Sequence, residues 1–152
     1  MLRTLLALTS LLLTAPAAAQ EREDPVVFIT SLLEHFNEGD MEDYAERFAY
    51  PHGRVLGDAF TIIDDRQIPL RTYDVMRASG WAYSRFNEIE VLEANNQSAL
   101  LRVNFSRFNE DDVIIQNVTA YYTLVLKDGS WKIVNLLAVG QSLAGMQMDG
   151  GR

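Results

Sequence analysis

The chain has 152 residues, no cysteine, and 13 basic against 21 acidic residues, for a formal charge of −8. The missing thiols exclude disulfides, thiolate metal sites and cysteine nucleophiles. The acidic balance denies nucleic acid and anionic membranes the basic footprint that each requires.

Residues 1–19, MLRTLLALTSLLLTAPAAA, have the form of an export signal. Arg3 supplies the positive start, Leu5 to Leu13 the apolar run, and Ala17-Ala18-Ala19 the small-residue cleavage pattern. The run is too short to span a bilayer, which takes roughly 20 residues. A periplasmic or secreted protein is expected, with no membrane attachment once the signal is cut. Residues 20–139 then form a single domain, and 140–152, GQSLAGMQMDGGR, read as a flexible tail.

Pro25 followed by VVFITSLLEHFNEGD predicts a helix with Phe28, Ile29, Leu32, Leu33 and Phe36 on one face and Gly39 at its end. Asp40 is placed to cap a second helix, with Met41, Tyr44, Ala45 and Phe48 inward and Pro51 as its stop. Arg54 to Leu56, a Gly57-Asp58 turn and Ala59 to Ile63 predict a short hairpin. Pro69 to Ser79 reads as a third helix, with Leu70, Tyr73 and Met76 on one face.

Four long strands follow: Trp81 to Glu93, Ser98 to Phe108, Val113 to Lys127 and Trp131 to Val139. The links Asn95-Asn96-Gln97, Asn109 to Asp112 and Asp128-Gly129-Ser130 are short and rich in turn residues, so neighbouring strands are antiparallel. Ala99, Leu101, Val103 and Phe105 mark one face; Val118, Ala120, Tyr122, Leu124 and Leu126 mark the same face one strand on. The opposite face carries Thr, Asn and Tyr with little charge, a composition that fits solvent or a homodimer contact. The fold class expected is α+β: three N-terminal helices packed on a curved, mainly antiparallel sheet of about six strands.

The order of these elements, with FNEGDMEDYAERF, the Gly80-Trp81 pair and the KDGSWKI hairpin, resembles the nuclear transport factor 2-like, or SnoaL-like, superfamily. The resemblance covers Val26 to Val139 and implies a cone with a pocket between helices and sheet. It does not fix the activity, because such a fold hosts isomerases, dehydratases, cyclases and non-catalytic binders. In the steroid isomerase branch a catalytic Tyr, a basic Asp and a second Asp would fall at Leu32, at or beside Leu56, and within Ala120 to Tyr122. None of these is a carboxylate or the needed phenol at its place, so that proton shuttle is rejected.

Among the site candidates, His52 can exchange a proton near neutral pH, Tyr50 can donate a hydrogen bond, and Arg54 can hold a carboxylate. On a strand the three share a face. Tyr73, Trp81 and Tyr122 are placed to line an apolar pocket, and Tyr83 is a second possible donor beside His52. His35 falls off the apolar stripe and reads as a surface residue, and Asn109 to Asp112 reads as a plain strand connection. No metal or cofactor motif is expected. The leading reading is a module that binds a small, largely apolar molecule. The alternatives are a cofactor-free lyase or isomerase with His52 as base, and a dimeric interaction protein.

Overall fold

In the computed structural model, residues 23–139 are described; the leader at 1–19 and the tail at 140–152 lie outside the described residues. Helix α1 spans Pro25–Glu38. The Asp24 carboxylate caps it by accepting the Val26 N–H at 2.7 Å, and Pro25 occupies the first turn, where its missing N–H leaves no gap. Gly39 ends the helix at φ 78°, a left-handed conformation that glycine adopts without strain, while the Asp40 N–H bonds the His35 carbonyl.

Helix α2, Met41–Glu46, is shorter than expected. Phe48 and Pro51 belong instead to strand β1, Phe48–Leu56. Phe48 aligns with Ile133, and the Ile133 N–H donates to the Arg47 carbonyl at 2.9 Å, so pairing with a distant strand ends the helix before Pro51 does. Pro51 sits where the pairing of β1 is interrupted, between Phe48 and Gly53, so its lack of an N–H breaks no ladder bond. The Asp40 side chain makes no cap; it pairs with His35 Nδ1 at 3.2 Å.

The Gly57-Asp58 turn joins β1 to β2, Ala59–Ile63. Helix α3 is Gln67–Ala78, its first N–H taken by the Asp65 carboxylate at 2.8 Å. Strands β3 (Tyr83–Ala94), β4 (Ser98–Phe108), β5 (Ile114–Lys127) and β6 (Ser130–Val139) follow. The sheet order is β2-β1-β6-β5-β4-β3, with β1 parallel to β6 and every other neighbour antiparallel. Extra residues at Asn87 and Leu92 in β3, Ile115 in β5 and Val134 in β6 mark bulges, which bend strands and deepen their twist. The result is the expected α+β fold: three helices against a curved, mainly antiparallel sheet of six strands.

The inner face is set by period-two alternation. Phe28, Ile29 and Leu32 of α1 pack on Leu101, Val103, Phe105, Ala120, Leu124 and Ile133, all buried. A second cluster joins Phe36, Met76 and Trp81, with Tyr44 touching both. The outer face holds a cross-strand ladder: Asn87 Nδ2 bonds Asn104 and Ser106, and Ser106 Oγ donates to Asn117 Oδ1 at 2.8 Å. Phe60, an aromatic that would be expected in the core, is 66% exposed, because the two-residue turn registers it with Val55 on the outer face. Asn37 of α1 reaches β3, where Oδ1 accepts the Ser84 N–H and Nδ2 donates to the Ser84 carbonyl, both at 2.8 Å.

Candidate functional site

Three strands and one helix bring polar side chains to the concave face of the sheet. Arg54 of β1 aligns with Leu136 of β6, and Leu136 with Tyr122 of β5, so the three share one row and one face. His52 lies two residues before Arg54 on the same side. Arg107 continues the inward positions of β4 after Val103 and Phe105; it aligns with Gln116, to which its Nη1 donates at 2.6 Å. Tyr44 enters from α2.

His52 is buried, its ring 4.8 Å from Phe48 and 5.5 Å from Tyr50. A carbonyl only accepts, so the 2.8 Å contact with the Ala49 carbonyl places the proton on Nδ1 and leaves the lone pair on Nε2. Burial pulls the His52 pKa down, its bond to Ala49 resists, and the Arg54 charge adds to the fall. The ring is therefore neutral at physiological pH. Tyr50 donates to the Ala45 carbonyl at 2.8 Å, and burial pushes its phenol up to about 12.

Burial also pushes the Tyr44 and Tyr122 phenols up, with Arg54 and Arg107 pulling them part of the way back. Arg107 is brought down to about 10, first by burial and then by the like charge of Arg54, yet stays protonated at neutral pH. These four side chains thus act on one another electrostatically, and the charges among them are both positive.

Hydrogen-bond capacity at this place is left unspent. Arg54 Nε is buried with no partner, and the Arg54 guanidinium makes no ion pair with the described residues. The Tyr44 and Tyr122 hydroxyls and His52 Nε2 make no hydrogen bond to the described residues either. Buried polar groups are nearly always satisfied, so the unpartnered Arg54 Nε, with three further unspent groups on the same concave face, calls for an explanation.

The other expected site residues fall elsewhere. Trp81 does not open β3; it precedes it, 1% exposed, and donates Nε1–H to Ser84 Oγ at 2.9 Å. Tyr73 packs edge-on against Trp81 at 5.6 Å and against Phe36 at 6.0 Å, within the second cluster. Tyr83 aligns with Phe108 and so lies on the outer face, stacked on that ring at 4.8 Å and donating to Asp112 at 2.7 Å. It is not beside His52. Tyr44 and Arg107 are the additions to the expected set. The signal for Arg107 was an arginine standing in the apolar register of β4.

His35, Asp40 and Asp43 bring one donor atom each within 4.8 Å of one another. Both His35 nitrogens are engaged within the chain, Nδ1 by Asp40 and Nε2 by Arg47 at 3.3 Å. That group is therefore an internal polar clasp between α1 and the start of α2. The Asn109 to Asp112 stretch is a turn, its Asn109 carboxamide accepting the Asp111 and Val113 N–H groups.

Residues 25–141 match the family model described as NTF2-like protein (DUF6841). Among solved structures, an NTF2-like protein with a cystatin-like fold from Novosphingobium aromaticivorans is similar at 15% identity and a TM-score of 0.60, over 82% of this chain and 79% of that one. A protein of unknown function with a cystatin-like fold from Nostoc punctiforme gives 11% identity and a TM-score of 0.63, over 76% and 87%. A candidate dehydratase of the NTF2-like family from Streptomyces avermitilis gives 18% and 0.59, over 77% and 93%. At such identities the likeness speaks for the fold alone. No curated protein is matched by the sequence.

Proposed function

We propose, for a chain that belongs to the NTF2-like family DUF6841, that the concave interior between helices and sheet binds a small molecule in an exported, cofactor-free protein. The observation that carries this reading is the set of unspent groups facing that interior: Arg54, the Tyr44 and Tyr122 hydroxyls, and His52 Nε2. Leu136, Ala138 and Phe48 around them offer an apolar wall for the body of a ligand. Native mass spectrometry of the protein isolated from its own source tests it. A small molecule released on denaturation supports binding; a bare chain mass, with no melting shift in a library of small apolar compounds, removes it.

A second reading has one specific observation behind it. The Ala49 carbonyl fixes the His52 tautomer and presents Nε2 as a neutral base, the form that a lyase or isomerase needs. The candidate dehydratase among the similar structures fits that class. Loss of turnover in His52→Gln with ligand affinity retained would support catalysis. Equal turnover would leave binding alone.

A homodimer through the outer sheet face is also proposed. Phe60, Ile62 and Val139 are exposed there among uncharged polar side chains. Sedimentation as a monomer at micromolar concentration would remove it.

A further inference from the structure

The unspent groups differ in what they can take. A guanidinium donates and carries a fixed positive charge, and a tyrosine hydroxyl in the protonated form donates as well. His52 Nε2 is the one of them that can only accept, since its ring is neutral with the proton on Nδ1. Arg54 and Arg107 give the concave face two positive charges, and no carboxylate stands with Arg54 among the described residues to balance them. The chain as a whole is acidic, at −8, so this interior is a positive site inside a negative protein. A neutral apolar ligand would fill the wall and leave Arg54 and both hydroxyls unsatisfied.

We propose that the ligand is an organic carboxylate, its anionic end seated on Arg54 and the Tyr44 and Tyr122 hydroxyls and its apolar body against Leu136, Ala138 and Phe48. This rests on the small-molecule reading above and narrows it to one chemical class. A planar fork of N–H donors matches a carboxylate, and the match is stronger where water is excluded. Arg107, tied to Gln116 and set against the Phe105 ring at 5.5 Å, adds charge from the side. His52, as an acceptor, is poorly suited to meet the anion. It faces the body of the ligand, where it takes a hydrogen from a ligand hydroxyl if there is one. Inorganic phosphate satisfies the donors and leaves the apolar wall empty, which is why an organic acid is preferred.

The test is a titration of the purified protein with benzoate and hexanoate, each beside its own amide, and with inorganic phosphate. Binding is read by titration calorimetry in every protein and, in the parent, also by NMR at the Arg54 Nε–H signal. The expected result is a shift of that signal with each acid and at least tenfold weaker binding of the matching amide. Arg54→Met should cancel the preference and Arg54→Lys, which keeps the charge without the fork, should retain part of it. Amides that bind as well as acids overturn the anionic class and leave the small-molecule reading standing. Phosphate that binds as tightly as benzoate overturns the organic part. No binding of any probe overturns the carboxylate class, while the small-molecule reading still stands or falls by the native mass spectrum. Well-dispersed spectra of the two variants establish that they are folded.

Discussion

Replacing Arg54 by methionine should make the unliganded protein more stable. The buried Nε–H has no partner, and an unsatisfied buried donor costs about 1–3 kcal/mol, more when it belongs to a charge. Methionine keeps much of the aliphatic stem against Leu136 while removing the donor and the charge that presses on Arg107. Part of the gain is offset because Arg54 is only half-buried and its outer nitrogens reach water. A net rise of about 1–2 kcal/mol follows, or roughly 4–8 °C in Tm for a domain of this size. Urea unfolding followed by the emission of Trp81 and Trp131, both buried in the folded state, measures it. Arg54→Lys puts a methylene where Nε stands but keeps the charge, so it should gain less. A lower urea midpoint for Arg54→Met at unchanged slope would refute the claim that this arginine is held at a structural cost.

His52→Gln should flatten the acid side of the stability curve. The folded pKa lies below the ordinary 6.5, so as pH falls through 6.5 the unfolded chain takes up a proton that the folded ring refuses. Stability is lost from there down to the folded pKa; above 6.5 both states are neutral and the group contributes nothing. Urea midpoints compared at about pH 7.5 and 5.5 should differ less in the variant than in the parent, and an equal difference would count against a neutral buried ring. Tyr122→Phe removes a hydroxyl that bonds nothing within the described chain, so unfolding free energy should hold to within about 0.5 kcal/mol while benzoate affinity falls; a large loss of stability would show a structural role instead. Asn37→Ala strips the Ser84 N–H and carbonyl of their partner and should cost about 2–3 kcal/mol in the same urea titration. Asn37→Asp keeps the acceptor and loses the donor, so an effect near zero for both variants would contradict the contact.

Local chemistry made some elements readable and left others hidden. The span of β4, Ser98–Phe108, could be read at both ends, because alternation runs unbroken between an Asn-rich and an Asp-rich turn. The start of β1 could not, because its partner at Ile133 lies some 85 residues away and only that pairing pulls Phe48 out of a helical continuation. His52, Arg54 and Tyr122 emerged from the period of two, which holds through the Gly57-Asp58 hairpin and along β5. Arg107 did not, since a charged side chain at the end of an apolar series reads as the point where the series stops. Tyr83 was misplaced for a related reason. Bulges after Phe86 and Val91 break the parity of β3, and only its pairing with Phe108 shows which way the ring faces.

Ser84 lies on β3, the last strand of the sheet, opposite Arg107. Its main-chain groups point away from the sheet into the Asn37 carboxamide, and its hydroxyl takes the Trp81 indole. A side chain from the first helix thus stands in for a seventh strand at that position. An open border of this kind would otherwise be a template for recruiting another polypeptide, a route to fibrils. Losing Asn37 would therefore do more than loosen a helix: it would uncover a growth point, and turbidity in concentrated solution would accompany the loss of stability.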